Sequence, residues 1–411
     1  MPICAGFKQK STELAKLISQ EMGKPIAEST NEVNDSVQEF AWFMKNAESA
    51  LCDEITSEDK NSLHKIVYEP FGAAAVITPW NFPLEMAVWG IIPNLLAGNT
   101  VVFKTSEECP LTGQLIEKII NNHDLPKGVF SEIYGDGKTG EILAKSDIDL
   151  IWFTGSSKVG QALYKISAEK FIKAILEMGG SNPCLVFEDA NVEDIIQNIY
   201  SGRFNNCGQT CSAIKRLIVH ESIFDEIIDR LKTLIKTKKV GDPFDEKTDI
   251  GSLVAERQLI LLQAQVKDAL DKGARVSATG EIPSNLRGAF YPPVILTNIK
   301  KNMRVWNEEV FGPVLPVVTF KTEEEGIALA NDTIYGLGSR IFSKDLNRAK
   351  RVASKLNAGT IEINKVSRWR PCNPFGGYKK IRNGARARHC RLPRTLPNKS
   401  YFLGEIKLAQ I

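Results

Sequence analysis

Residues 205–211 read Asn205-Asn206-Cys207-Gly208-Gln209-Thr210-Cys211, and Leu176-Glu177-Met178-Gly179-Gly180 stands upstream, with Glu177 thirty-four positions before Cys211. Further upstream lies Trp80-Asn81-Phe82-Pro83. Chemically, these three words offer a thiol nucleophile, a carboxylate base and a side-chain amide able to donate to an oxyanion. A thiolate adds readily to a carbonyl carbon, and where the resulting alkoxide collapses to an acyl-enzyme a thioester is formed. The thioester left behind needs an activated water. With only four histidines in the chain (His64, His123, His220 and His389), a carboxylate suits that task better than an imidazole. Each word alone also has a plain reading: a buried filler cysteine, a surface glutamate, a turn or cap asparagine.

The rest of the chain is globular in composition. Its 411 residues are 43% hydrophobic and 25% charged, enough for two or three domains with large cores. The net charge of +3 hides an asymmetry: residues 379–399 carry eight Lys/Arg and no Asp/Glu, so +3 less 8 leaves −5 for the remainder. Eight scattered cysteines without a disulfide framework, and a start lacking a basic and apolar leader, point to a reducing, cytoplasmic setting. The apolar stretch 86–98 is too short to cross a bilayer and contains Pro93 and Asn94, so no membrane partner is expected. The histidines fall at no ligand spacing and Cys207-x-x-x-Cys211 has no partner pair, so no metal is expected either.

Leu14, Leu17, Ile18 and Met22 recur at helical spacing and stop at Gly23-Lys24-Pro25; a second helical stretch runs from about Ala27 to Leu51. Residues 64–68 form a candidate strand. Residues 73–77, 100–104 and 150–153 are short apolar strands separated by helical stretches, and Leu185-Val186-Phe187 begins a further region. That alternation is the mark of a parallel α/β architecture. Gly155-Ser156-x-x-Val159-Gly160 follows a strand and opens a helix, where N-terminal amides favour phosphate. It is not the Gly-x-Gly-x-x-Gly dinucleotide fingerprint.

In this order the words resemble the NAD(P)-dependent aldehyde dehydrogenase family, from about residue 8 to residue 380. The resemblance implies an α/β fold with a Rossmann-like cofactor domain (1–53 and 71–179) and an α/β catalytic domain (180–380). A small oligomerisation element would include a hairpin at 54–70. It implies Cys211 as nucleophile, Glu177 as general base and Asn81 as oxyanion-hole amide. Ile77, Trp80, Gly135, Gly155, Ser156 and Val159 match positions lining the cofactor cleft. Lys104 and Glu107 match those meeting the adenosine ribose. A carboxylate there accepts from a free 2′-OH and repels a 2′-phosphate, so Glu107 favours NAD, with NADP possible beside Lys104. In Glu308-Glu309-Val310-Phe311-Gly312-Pro313, Glu309 would bind the nicotinamide ribose and Phe311 would pack near the ring. Within the family the words look most like succinate-semialdehyde dehydrogenases. An ω-carboxylate asks for cationic or hydroxyl donors at the pocket mouth, and Arg203, Ser367, Arg368 and Arg370 are the candidates. A homodimer or homotetramer is the family's expected assembly.

Two departures from the family pattern stand out. Roughly fifty residues that relatives place before the helix at 12–22 are missing, which should expose apolar surface. After Pro374-Phe375-Gly376-Gly377-Tyr378-Lys379-Lys380 the family continues with a Ser-Gly-x-Gly-Arg-Glu word, but Ile381-Arg382-Asn383-Gly384-Ala385-Arg386 stands here. Codons can be chosen for residues 381–395 that spell that word one base later, so a frameshift near codon 381 is inferred. Residues 381–411 are then an aberrant basic tail, poorly packed, taking the place of half the oligomerisation element. With little aromatic interleaving, the tail's arginines do not imply nucleic acid. The rival readings are a catalytically impaired remnant, a dehydrogenase for another small aldehyde, and a basic-tailed binding module.

Overall fold

The computed structural model describes residues 2–123, 125–365, 370–379 and 400–403. It divides into two compact units, Met1–Glu21 with Ser29–Leu176, and Met22–Glu28 with Glu177–Ile411.

The first unit carries seven strands: β1 (Glu54–Glu58), β2 (Leu63–Ile66), β3 (Ala73–Ile77), β4 (Thr100–Lys104), β5 (Phe130–Ile133), β6 (Leu150–Gly155) and β7 (Lys173–Met178), the last running into the second unit. β1 and β2 form an isolated antiparallel hairpin. The other five make a sheet in the order β5-β4-β3-β6-β7, with β4 and β6 each parallel to β3. The chain therefore leaves β3 in one direction for β4 and β5, and returns on its other side for β6. In such sheets ligands bind beyond the carboxyl ends of the strands, where the order reverses.

The Ala-rich face of β3 lets helix Pro83–Leu96 lie close. A Cβ on Gly90 would meet the indole of Trp152 at 3.2 Å and overlap Val76, so only glycine permits this approach. That helix and Pro110–Asn121 start at Phe82 and Cys109, which provide no side-chain cap. Remote carboxylates do it instead. Glu32 accepts from the N–H of Leu84 at 3.0 Å, and Glu21 accepts from Leu111 at 2.6 Å and Thr112 at 2.8 Å. An anion at a helix N-terminus satisfies free amides and opposes the dipole. The N-terminal helical reading resolves into Pro2–Gln9, Ser11–Met22 and Ile26–Leu51, and the strand expected at 64–68 is Leu63–Ile66.

The second unit holds β8 (Asn182–Val186), β9 (Ile214–His220), β10 (Arg275–Thr279), β11 (Val294–Thr297), β12 (Val314–Phe320), β13 (Gly338–Phe342), β14 (Thr360–Ile363) and β15 (Ser400–Leu403). They form one sheet, β10-β11-β12-β9-β8-β13-β14-β15, parallel throughout except for the β10–β11 pair. Every residue of β8 and β13 is buried, as expected of strands covered on both faces. Helix Glu323–Asn331 packs on β8 and helix Leu346–Lys355 on β13, while helix Phe224–Lys236 adds Ile227, Leu231 and Ile235, spaced by four, to the core beside β10. Residues 400–403 pair with β14, so this part of the basic tail is a strand and not the loose segment expected. The remainder of the tail, 381–399 and 404–411, with the inferred frameshift, lies outside the described residues.

Candidate active site

The segment entering β9 has an unusual backbone. Asn206 (φ 53°), Cys207 (φ 53°) and Gly208 (φ 72°) are consecutive left-handed residues. For a residue with a Cβ that conformation costs about 1–2 kcal/mol, so the two non-glycine positions need restraint from outside. The restraint is visible. Glu28 accepts from the Asn206 N–H at 2.7 Å. Gln209 donates to the Asn206 carbonyl at 3.2 Å, while its own amide oxygen accepts from Val254 N–H at 3.0 Å. A Cβ on Gly208 would overlap the carbonyl of Gly312, with that carbonyl carbon only 2.6 Å away.

This turn delivers Cys211, partly exposed, to the mouth of β9. The residues after Glu177 run beside it: Asn182 donates from Nδ2 to the Cys211 carbonyl at 3.1 Å, and a Cβ on Gly180 would meet the same oxygen at 2.9 Å. The two words that sequence reading paired are therefore neighbours through their backbones. Glu177 itself sits at the end of β7, 2% exposed. Cys207, by contrast, is buried, and desolvation pushes its thiol far up, so it is packing and not a second nucleophile.

Arg203 corrects an expectation. It was a candidate for the substrate mouth, but it is 0% exposed and donates from Nη2 to the carbonyls of Val310 (3.1 Å) and Gly312. Its guanidinium ties the 310–312 segment to the helix that precedes the nucleophile turn. Burial pulls it down to about 9, still protonated at neutral pH. Arg370 is exposed, while Ser367 and Arg368 lie outside the described residues.

In the second unit, Glu309 Oε1 accepts from Gly180 N–H (3.0 Å) and from Lys215 Nζ (2.8 Å), and Lys215 also lies over the Phe311 ring at 4.7 Å. Lys215 was missed from sequence. Its signal was a pair of basic residues inside the apolar run Ile214-Lys215-Arg216-Leu217-Ile218-Val219, all of it buried. Arg216 is accounted for structurally: it donates to the carbonyls of Leu329, Ala330 and Asp332, closing the C-terminus of helix Glu323–Asn331.

In the first unit, the expected cofactor residues gather at the carboxyl ends of the strands. Ile77 ends β3, with Trp80 and the buried Asn81 (7% exposed) in the following turn. Lys104 ends β4; its Nζ donates to Thr105 O at 3.0 Å and lies 3.9 Å from Glu107 Oε2. Gly135 follows β5 at φ 146°, where any Cβ would crowd Thr139. Gly155 ends β6, and Ser156 caps helix Ser157–Glu169 by accepting from Val159 N–H at 3.4 Å. Among the described residues no cluster of three His, Cys, Asp or Glu is arranged for a metal, and no helix is long and apolar enough to cross a membrane.

Comparison with known proteins fits this arrangement. The sequence model of the aldehyde dehydrogenase family matches residues 3–392. Betaine aldehyde dehydrogenase of Bacillus subtilis (strain 168) is 39% identical over 373 residues, covering 90% of this chain and 76% of that one. A succinate-semialdehyde dehydrogenase [NADP(+)] of Deinococcus radiodurans is 36% identical, covering 90% and 78%. The solved structure of betaine aldehyde dehydrogenase from Staphylococcus aureus in complex with NAD+ superposes with a TM-score of 0.88 at 36% identity, covering 92% of this chain and 76% of that chain. Enzymes named for different aldehydes thus lie at similar distance, so kinship fixes the chemistry class and not the substrate. With its motifs in order, its sheets in place and a family match along nearly its whole length, the chain belongs to the aldehyde dehydrogenase family, a class of NAD(P)-dependent oxidoreductases.

Proposed function

We propose that the chain oxidises succinate semialdehyde to succinate with NAD, NADP being tolerated, through a thioester on Cys211. The observation that carries this reading is the strained 206–208 turn that presents Cys211 beside the segment following Glu177. Residues suited to a dinucleotide are present: the glycine cradle at Gly135, the capped helix start at Ser156, and Lys104 with Glu107 for the adenosine ribose. Glu107 opposes a 2′-phosphate and so favours NAD. When bound, the nicotinamide would supply the hydride acceptor.

The protein's own groups do the rest. Cys211 sulfur adds to the aldehyde carbon. The oxyanion then receives the Asn81 amide and the backbone N–H of Cys211. Once the thioester exists, Glu177 takes a proton from water as it attacks the acyl carbon, and Cys211 leaves as thiolate. The choice of aldehyde rests on the wording of the Cys211 segment and on Ser367, Arg368 and Arg370, basic and hydroxyl donors suited to a carboxylate. Assembly as a homodimer or homotetramer would use the β1–β2 hairpin, whose Ile55, Leu63 and Ile66 are exposed.

The test is NADH formation by the purified chain with succinate semialdehyde, betaine aldehyde and an aminoaldehyde, each beside a Cys211→Ala control. Turnover with succinate semialdehyde at least tenfold above the cationic aldehydes, lost in the control, is expected. Preference for a cationic aldehyde would overturn the substrate, and turnover by the control would overturn the nucleophile.

A further inference from the structure

We propose that Lys215 is a positioning residue that locks the Glu309 carboxylate and the Phe311 ring in the orientation the nicotinamide half of the cofactor requires. The inference rests on the reading that gives Glu309 the nicotinamide ribose.

An ammonium on a fully buried strand position is costly to desolvate unless its partners repay it. Lys215 is 0% exposed, and its Nζ has three: Glu309 Oε1 at 2.8 Å, the Gly180 carbonyl at 3.4 Å and the face of Phe311 at 4.7 Å. One cation therefore reaches both residues to which nicotinamide contacts are assigned, and a backbone carbonyl between Glu177 and Cys211. The result for Glu309 is asymmetric. Oε1 is filled by two donors, Lys215 Nζ and Gly180 N–H. Oε2 has no hydrogen-bond donor among the described residues, and the side chain is 18% exposed. A carboxylate with one oxygen anchored and the other open is prepared to accept from a vicinal diol without first losing rotamer freedom. Gly179 keeps that oxygen's place clear: a Cβ there would stand 2.8 Å from the Glu309 carboxyl carbon and overlap Oε2. Burial lowers the Lys215 pKa and the Glu309 charge opposes that shift, in keeping with a paired cation.

Four proteins decide the matter: the parent, Lys215→Met, Lys215→Gln and Glu309→Gln. The dissociation constant of NAD is measured by calorimetry, beside KM, kcat and the rate of Cys211 alkylation without cofactor. Lys215→Met is expected to weaken NAD about tenfold or more, as is Glu309→Gln. Lys215→Gln, which keeps a donor but no charge, falls between. Alkylation of Cys211 slows with loss of the nearby cation, while the buried Cys184 and Cys207 stay protected, which a general loosening of the fold would not allow. If Glu309→Gln weakens NAD and neither Lys215 variant shifts it more than twofold, the positioning role is refuted. If Glu309→Gln itself leaves NAD binding unchanged, the ribose assignment fails instead. Should Lys215→Met not fold, Lys215→Gln decides alone by the same criterion.

Discussion

Gly208→Ala isolates the strain in the nucleophile turn. At φ 72° an alanine pays about 1–2 kcal/mol for the left-handed backbone. Its Cβ would also overlap the Gly312 carbonyl, whose carbon is 2.6 Å away, and Arg203 donates a hydrogen bond to that carbonyl. Overpacking against atoms that cannot retreat typically adds about 1–3 kcal/mol, so roughly 2–5 kcal/mol in total is expected. Gly273→Ala in the same unit is the control. It has φ 95° but only the end of the Lys300 side chain at 3.5 Å, so it should show the backbone cost alone. Hydrogen exchange of the Gln209 amide, which bonds to Asn206 O at 2.9 Å, reads the opening of the turn directly. Its protection should fall at least 30-fold in Gly208→Ala, against about tenfold for the amides at the Gly273 turn in the control. Equal losses in the two variants would refute the claim that the 310–312 segment braces the nucleophile.

The Glu28 carboxyl is pushed up to about 7, chiefly by desolvation, so it adds stability below its unfolded value near 4.5 and loses it as pH rises through 7. Unfolding free energies of the parent from urea titrations should therefore fall more between pH 5 and 8 than those of Glu28→Gln, by up to about 3 kcal/mol; parallel profiles would contradict this. Brief iodoacetamide treatment of the native protein should modify Cys52, Cys372 and Cys211 and spare Cys109, Cys184 and Cys207 until denaturant is added. Burial pushes Cys184 up to about 12 and Cys207 higher, so mass-spectrometric labelling of Cys207 at the rate of Cys52 would be inconsistent with the fold described.

The strands 73–77, 100–104 and 150–153 were legible because short apolar runs between turn signals have few alternatives. The words around Glu177 and Cys211 were legible because their chemistry needs particular atoms. What escaped were residues whose role depends on what lies opposite them. Arg203 reads as a surface cation until the 310–312 carbonyls are seen around it. Lys215 interrupts an apolar strand for a reason that lies 94 residues away, at Glu309. No local pattern marks Asn206 and Cys207 as left-handed, since neither is glycine and the hydrogen bonds that hold Asn206 come from Glu28 and Gln209. Tertiary contacts override local preference most where a site is built.

The borrowed caps of the first unit bear on the order in which it is made. Glu32 and Glu21 precede the amides they receive by 52 and 90 residues. On a ribosome the acids emerge long before helices Pro83–Leu96 and Pro110–Asn121, so each new helix meets an anion already in place for its first turn. Closing so long a loop is entropically expensive, but the expense grows only with the logarithm of its length, and vectorial synthesis brings the later partner to the earlier one. Glu21 and Glu32 are thus available to the nascent chain before the helices they cap, and placing them after those helices in the order of synthesis would remove that advantage.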